Sequence, residues 1–267
     1  DNTTIYAFSS GDGFDMGSLY NPITVQSKEV VNIAVTVEDT TGNYYVFNGG
    51  SDYDANKKYN LDNGTYTLQN ISMQHPIAIL NSGKTSDISY RVVDNPANPI
   101  IINVAGGSTS EVNGDYYTFT DVSGSAINIG DGTFKFMRGK TYKFQANNIS
   151  ASHPFKIFMS GAFVNDDINA VNTGITGSTD SITITIPTDH STTAGDLYYE
   201  CDVHSGMNKN LSLLYRSVSG TTADDFYDFF YGDVEITVNG DYGNVSVYCY
   251  YHGYMGGENL LQYTGDS

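Results

Sequence analysis

The chain has no tryptophan and only two cysteines among its 267 residues. Basic residues are also few, since 12 lysines and arginines face 30 aspartates and glutamates, and the formal net charge is −18 at pH 7. Nucleic acids and anionic membrane surfaces are polyanions, so this charge argues against both as partners. Long hydrophobic runs are missing too, because no segment approaches the roughly 20 apolar residues of a membrane-spanning helix. We therefore expect no nucleic-acid partner and no membrane span.

Good helix formers are scarce, whereas Thr, Val, Ile, Tyr and Phe alternate with clusters of Gly, Asn and Asp. Aromatic and β-branched side chains fit the pleated surface of a sheet, and Gly, Asn and Asp favour the turns between strands. The composition therefore predicts a nearly all-β fold. The length suffices for one large or two ordinary domains. Because the chain starts at Asp1 rather than at a methionine, we expect a processed product or a part of a longer protein.

Both cysteines open the same motif, Cys-x-x-His-x-x-Met. The two copies are Cys201, His204 and Met207, and Cys249, His252 and Met255. A thiolate, two imidazoles and a thioether form the ligand set of mononuclear copper electron-transfer sites, in which the thioether is a weak axial ligand. Each copy of the motif supplies all of these ligands except one imidazole.

A second repeated motif, Asn-Ile-Ser-x-x-His-Pro, offers the remaining imidazole. It contains His75 after Asn70-Ile71-Ser72 and His153 after Asn148-Ile149-Ser150. Four of the five histidines are then accounted for. The predicted metal ligands are His75, Cys249, His252 and Met255 at one site, and His153, Cys201, His204 and Met207 at the other. The predicted cofactor is copper, with up to two ions in the chain.

The flanking segments repeat as well. Thr65–Gln69 matches Thr141–Gln145, and Asn43–Phe47 resembles Asp115–Phe119. The strand-like segments that lead to each cysteine, 181–186 and 234–238, alternate with period two, as half-buried strands do. The chain therefore contains two copies of one structural unit.

The ligands follow the order His75, His153, Cys201, Cys249, whereas two units in tandem would give His, Cys, His, Cys. Nesting is the simplest arrangement, since insertion is tolerated where the ends of a unit lie in exposed loops. We predict an inserted domain at 104–216 and an outer domain at 31–103 plus 217–267. A crossed arrangement, with His75 beside Cys201, and a Cys201–Cys249 disulfide are the alternatives.

The ligand cluster, with a histidine 48 positions before its cysteine, resembles that of the cupredoxins. This resemblance implies that each unit is a Greek-key β-sandwich with copper near one end. In many electron-transfer cupredoxins an Asn follows the upstream histidine and ties the two ligand loops together. Here Pro76 and Pro154 stand in its place, so the support of the ligands must differ.

The segment Val247–Gly257 is also similar to Tyr-rich cupredoxin-like modules in virion structural proteins of phages of marine bacteria. This similarity implies a building block of a capsid decoration, a fibre or another extracellular assembly. We expect self-association or contacts with neighbouring subunits through residues 1–30, with a strand at Ile23–Gln26, or through the aromatic-acidic stretch Phe226–Tyr231. An internal tie between the two units is the alternative role of that stretch.

The histidine inventory argues against an enzyme. A multicopper oxidase needs many further histidines, and only His190 is unassigned, in a polar loop where we expect it to be solvated. Gly-Asp-Gly loops at 10–15 and 129–132, with Asp224, Asp225 and Asp228, offer oxygen ligands for calcium, but turn formation and solubility explain these residues better. Three functions remain: a structural module of a virion or extracellular assembly, a soluble electron carrier, and a copper-storage protein.

Overall fold

The computed structural model describes residues 3–5, 23–25, 31–38, 44–47, 54, 57–159, 174–218 and 225–265. Every regular element within these ranges is a β-strand, which confirms the predicted all-β fold. Nowhere in the described part of the chain is there a helix with the length and apolar character to cross a membrane.

The strands are, in chain order, β1 (Thr3–Ile5), β2 (Ile23–Val25), β3 (Val31–Glu38), β4 (Tyr44–Phe47), β5 (Tyr59–Asn60), β6 (Gly64–Ile71), β7 (Ile77–Leu80), β8 (Ile88–Val92), β9 (Ile100–Gly106), β10 (Thr118–Thr120), β11 (Ala126–Ile127), β12 (Thr141–Ile149), β13 (Phe155–Met159), β14 (Ser181–Thr185), β15 (Leu197–Cys201), β16 (Asn208–Asn210), β17 (Tyr215–Ser217), β18 (Phe226–Asp228), β19 (Gly232–Val238), β20 (Asn244–Cys249), β21 (Gly253–Tyr254) and β22 (Leu261–Gln262).

Side chains along a strand point alternately to the two faces of the sheet, which explains the pattern of burial along these strands. In β14 the two isoleucines are buried and the flanking Ser and Thr residues are exposed, and β19 buries Val234, Ile236 and Val238 in the same way. Such a pattern places one face of each strand on a core and the other toward solvent. The period-two alternation predicted for both lead-in strands is therefore confirmed.

One set of sheets is built from residues 100–210. A five-stranded sheet has the order β11-β10-β9-β12-β14, with β9 and β12 parallel, and an antiparallel sheet has the order β13-β15-β16. Buried aromatic residues fill the core of this set, among them Phe119, Phe144, Phe155 and Tyr199. Phe155 packs edge-on against Tyr117, with ring centroids 5.1 Å apart. Tertiary packing of these rings, rather than any local propensity, holds β13 and β15 over β12.

The other set of sheets combines strands from both sides of that segment. One sheet has the order β4-β3-β6-β19-β8, and β7 pairs with β20 in a second sheet that contains β21, β22 and β5. Its core includes Leu68, Ile77, Val247 and other buried residues of these strands. Strands of the 59–92 region thus pair with strands beyond residue 232.

The aromatic-acidic stretch lies at the junction of the two sets. The carboxylate of Asp228 accepts a hydrogen bond from the guanidinium group of Arg138 at 2.6 Å, and Ile77 and Phe230 exchange backbone hydrogen bonds. Phe229 and Phe230 are buried, and so is Tyr227, whereas Phe226 is 59% exposed. The stretch therefore acts mainly as an internal tie, and only Phe226 remains as an exposed aromatic residue for contact with another subunit.

The N-terminal region is described only at β1 and β2, which pair antiparallel. The strand predicted at Ile23–Gln26 is present as β2. The other residues of the predicted arm, including the glycine-acid loop at 11–15, lie outside the described residues.

Candidate metal centres

The inner centre consists of His153, Cys201 and His204. Cys201 ends β15 and pairs with Phe155 of β13, so His153, two residues before Phe155, lies at the same end of the sheet. The Sγ atom of Cys201 is 3.9 Å from Nδ1 of His153 and 3.5 Å from Nδ1 of His204. The two Nδ1 atoms are 3.2 Å apart. Three soft or borderline donor atoms therefore converge on one point.

The outer centre consists of His75, Cys249 and His252, and it repeats this geometry. Cys249 ends β20 and pairs with Ile77 of β7, two residues after His75. Its Sγ atom is 3.9 Å from Nδ1 of His75 and 3.5 Å from Nδ1 of His252. The distances equal those of the inner centre, although a different pair of strands builds the site.

These distances decide between the alternatives left by the sequence. His75 lies beside Cys249 and His153 beside Cys201, so the crossed arrangement of the ligands is wrong. Both cysteines are free thiols, buried to 0–1% exposure, so the disulfide is absent as well. Each His-Cys-His group could hold a metal ion, since its donor atoms all lie within 4.8 Å of one another.

The motif methionines are brought to the same places by the backbone. The N–H of Cys201 donates to the carbonyl of Met207 at 3.1 Å, and that of Met207 donates to the carbonyl of His204 at 2.9 Å. Met207 and Met255 are 2% and 1% exposed, and each belongs to the core that contains the cysteine of its own motif. Their role as axial ligands stays a prediction.

The Asn-Ile-Ser motif shapes the backbone before each upstream histidine. Asn70 and Asn148 have positive φ angles of 65° and 64°, a region that asparagine tolerates better than most residues. The N–H of His75 donates to the carbonyl of Ser72 at 2.9 Å, and that of His153 to the carbonyl of Ser150 at 3.0 Å. The motif therefore forms a turn that delivers the imidazole to the end of the sheet.

Two tyrosines support these turns, and sequence reasoning missed them. The hydroxyl of Tyr45 donates to the carbonyl of His75 at 2.8 Å, and that of Tyr117 to the carbonyl of His153 at 3.1 Å. Each hydroxyl also lies close enough to the thiol of its own centre for that thiol to affect the pKa of the phenol. Burial, with the nearby thiol, raises the pKa of both phenols well above its usual value, so they stay neutral.

The two tyrosines support the backbone just before Pro76 and Pro154, which follow the upstream histidines. Tyr45 additionally donates its N–H to the carbonyl of Met255 at 3.1 Å, so it joins the two ligand loops of the outer centre. The sequence contained a sign of these two tyrosines, because the matched segments Asn43–Phe47 and Asp115–Phe119 each have a pair of tyrosines at equivalent positions.

Replacing Tyr117 by phenylalanine tests this support. Loss of one hydrogen bond at a buried carbonyl costs about 1 kcal/mol of folding free energy. Removal of an outer-shell partner typically weakens metal affinity about 10–100-fold, and we expect this for the inner centre. Competition with a chromophoric chelator measures the affinity, and thermal unfolding measures the stability. Tyr198→Phe is the matched control, because Tyr198 stacks on Phe158 at 4.9 Å in the same sheet. Equal affinities for the two variants would contradict the role given to Tyr117.

His190 corrects a prediction. It is 4% exposed rather than solvated, and its carbonyl accepts a hydrogen bond from Arg138 at 3.0 Å. Burial lowers the pKa of its imidazole, so it is neutral near pH 7. Its Nε2 atom is buried with no hydrogen-bond partner among the described residues. His190 belongs to neither metal centre.

Two of the acidic residues weighed as calcium ligands, Asp131 and Asp228, are engaged in protein contacts. Asp131 accepts a hydrogen bond from the N–H of Thr133 at 2.8 Å, as turn residues do, and Asp228 binds Arg138. The loop at 10–15 and Asp224 lie outside the described residues. Turn formation and ion pairing thus account for Asp131 and Asp228.

The surroundings of the two centres differ in their exposed side chains. Met73, Tyr251 and Tyr254 are 49%, 49% and 38% exposed near the outer centre, and the Tyr251 ring lies 6.4 Å from that of His252. His252 itself is exposed. Beside the inner centre Val203 is 65% exposed. The outer centre therefore opens onto an aromatic surface and the inner centre onto a smaller aliphatic one.

Comparisons with known proteins give no match, either to a model of a protein family or to a curated protein.

Proposed function

We propose that the chain is a structural module of a virion or another extracellular assembly, in which two bound copper ions fasten the fold. One observation carries this proposal: each centre joins segments that are distant in the sequence. His75 and Cys249 are 174 residues apart, and His153 and Cys201 are 48 apart. An ion held by both members of such a pair closes a long loop, which is where a crosslink restricts the unfolded chain most.

The chemistry of the donors supports copper as the ion. A thiolate and two imidazoles with a buried thioether nearby suit copper better than the hard cations, which prefer oxygen ligands. The matched geometry of the two centres further supports a fold of two Greek-key cupredoxin-like domains, one inserted in the other. In this proposal the copper-thiolate bond supplies intense visible absorption, and the protein supplies ligand orientation through Tyr45 and Tyr117.

Titration of the metal-free protein with Cu(II) tests the metal assignment. We expect an intense thiolate-to-copper absorption band that grows to two equivalents. Cys201→Ser and Cys249→Ser should each lose half of the band, and the double variant all of it. Zinc serves as the control ion, because it binds similar ligands but has a filled d shell and gives no such band. A band that persists in the double variant, or none in the wild type, would refute the assignment.

The N-terminal strands support the assembly part of the proposal. Among the described strands, β1 and β2 pair only with each other. An isolated two-stranded sheet is marginally stable in water, so it needs a surface to pack on. We place that surface on a neighbouring subunit. Light scattering of the full chain against a variant without residues 1–30 tests this: the full chain should self-associate and the truncated one should not. A full chain that is monomeric at all accessible concentrations would exclude self-association through this arm.

A second function, a soluble electron carrier, is favoured by the exposed aromatic surface at Met73, Tyr251 and Tyr254 beside His252. Electrons enter and leave most readily where a ligand reaches the surface among apolar side chains. Tyr251→Glu should then slow the reduction of the outer centre by a small protein donor at least tenfold, whereas Val203→Glu beside the inner centre should not affect the outer one. Equal reduction rates of the outer centre in the two variants would argue against the electron-carrier function, and the structural module would be the remaining proposal.

A further inference from the structure

The residues that flank the two cysteines differ sharply in charge. Cys201 lies between Glu200 and Asp202, and Asp202 forms an ion pair with Lys156. Two carboxylates and one ammonium group therefore stand next to the inner centre. Alternation along β15 directs Glu200 away from the buried Cys201, which keeps its carboxylate outside the ligand set but adjacent to it.

Aromatic residues occupy the equivalent positions in the outer centre. Cys249 lies between Tyr248 and Tyr250, and these rings hold the guanidinium group of Arg216, whose central carbon is 5.6 Å and 5.0 Å from their centroids. The ring of Phe229 lies 5.7 Å from the same carbon. The ammonium group of Lys135 is 5.8 Å from the centroid of Tyr250. Cations stabilised by aromatic faces thus lie beside the outer centre, whereas carboxylates lie beside the inner centre.

Other charges nearby reduce this contrast but do not reverse it. Around the outer centre, Asp131 interacts with Lys135, and Glu258 interacts with the exposed Tyr254. The guanidinium group of Arg216 lies beside the strand of Cys249. Around the inner centre, Lys156 offsets only one of the two carboxylates. These groups leave one net negative charge beside the inner centre, whereas the two cations and two carboxylates beside the outer centre cancel. The inner centre is therefore the more negative of the two.

Oxidation of a bound copper ion from Cu(I) to Cu(II) adds one positive charge to the site. Neighbouring carboxylates favour the more positive ion, and neighbouring cations disfavour it. One unit charge about 10 Å from the metal, at an effective dielectric constant of about 20, changes the ratio of Cu(I) to Cu(II) by about tenfold. The unbalanced carboxylate at the inner centre therefore favours Cu(II) there relative to the outer centre, where the charges balance.

We propose that the two centres form a pair of unequal reduction potential, in which the outer centre holds Cu(I) under conditions where the inner centre holds Cu(II). The proposal rests on copper binding at both centres. Each centre exchanges one electron with an external one-electron mediator, and no atom is transferred. The outer centre is then the better acceptor of an electron and the inner centre the better donor.

Spectroelectrochemical titration of the copper-loaded full chain in the presence of mediators tests this proposal. The copper-thiolate band should bleach in two steps whose midpoints differ by at least tenfold in the equilibrium constant, or about 59 mV for a one-electron couple. Cys249→Ser and Cys201→Ser each leave one centre, and they should assign the lower midpoint to the inner centre. Low ionic strength is required, because salt screens charges that are partly exposed.

Variants that remove a single flanking charge test whether these charges cause the difference in reduction potential. In the Cys249→Ser background, Asp202→Asn should raise the midpoint of the inner centre. In the Cys201→Ser background, Arg216→Gln should lower that of the outer centre, and Arg216→Lys, which keeps the charge, should shift it less. Asp189→Asn removes an exposed carboxylate distant in sequence from both motifs and should shift neither.

The outcomes are distinct. A single shared midpoint, or a higher midpoint at the inner centre, would overturn the inference while leaving copper binding intact. Shifts no larger than that of Asp189→Asn would overturn it equally, because the flanking charges would not be the cause. Absence of the band in the wild-type chain would refute the copper assignment itself, and the inference with it.

Discussion

Two equivalents of copper should raise the midpoint of thermal unfolding of the wild-type chain by well over 10 °C, and the double variant Cys201→Ser/Cys249→Ser should show no rise. A ligand present at about 1,000 times its dissociation constant stabilises the folded state by about 4 kcal/mol per site. For chains of this size, each kcal/mol moves the midpoint by about 2–4 °C. The effect is large because each ion joins strands that the sequence separates by 48 or 174 residues.

Calorimetry of each protein with copper and with a chelator measures this effect. The comparison is made within each variant, so any cost of placing a serine hydroxyl in a buried thiol position cancels. The single variants are the matched controls, since each should retain the stabilisation of one centre. A rise in the double variant equal to that of the wild type would place the stabilising ion elsewhere.

Arg138→Ala should destabilise the metal-free protein by about 3 kcal/mol. The guanidinium group of Arg138 binds both carboxylate oxygens of Asp228, at 2.7 Å and 2.6 Å, and its third donor reaches the carbonyl of His190. The two side chains are only 15% and 23% exposed, and the guanidinium also lies 4.6 Å from the ring of Tyr215. Removing one member of such a pair leaves the other charge poorly solvated, which is the main cost.

Arg91→Ala is the matched control for this ion pair. Arg91 binds Glu235 at 2.7 Å, but its side chain is 70% exposed, so its loss should cost less than 1 kcal/mol. Urea unfolding of both variants measures the two costs. Replacing both Arg138 and Asp228 with apolar residues should cost less than the sum of the single changes, because no charge is then left unpaired. Equal costs for Arg138→Ala and Arg91→Ala would show that the buried position of the first pair is unimportant.

The ligand groups were predictable because the sequence marks them twice. The repeated spacing Cys-x-x-His and the repeated Asn-Ile-Ser before each upstream histidine identify the candidate ligands. The predicted nesting of the two units then pairs His75 with Cys249, although the two residues are distant in the sequence. Tyr45 and Tyr117 were not identified, because a hydroxyl that donates to a backbone carbonyl carries no motif of its own. Their position in the matched segments Asn43–Phe47 and Asp115–Phe119 was the available signal.

Burial of polar groups was harder to predict. His190 lies in a sequence that reads as a solvated loop, yet the packing of Arg138 against its carbonyl encloses it. The role of Phe226–Tyr231 was open for the same reason, since an aromatic strand suits an external contact and an internal one equally. Tertiary partners decide both cases, and Ile77, which pairs with Phe230 of this stretch, is far from it in the sequence.

The two centres cannot form at the same time during synthesis. The inner centre needs residues 153–204, whereas the outer centre has His75 early and Cys249 only 174 residues later. At about 5–20 residues per second, His75 waits roughly 10–35 s on the ribosome for its partner. Strands β6 and β7 must remain without β19 and β20 throughout that interval, whereas β9, β12 and β13 have all of their partners by its end. The strands of residues 100–210 can therefore pair before β6 and β7 meet their partners.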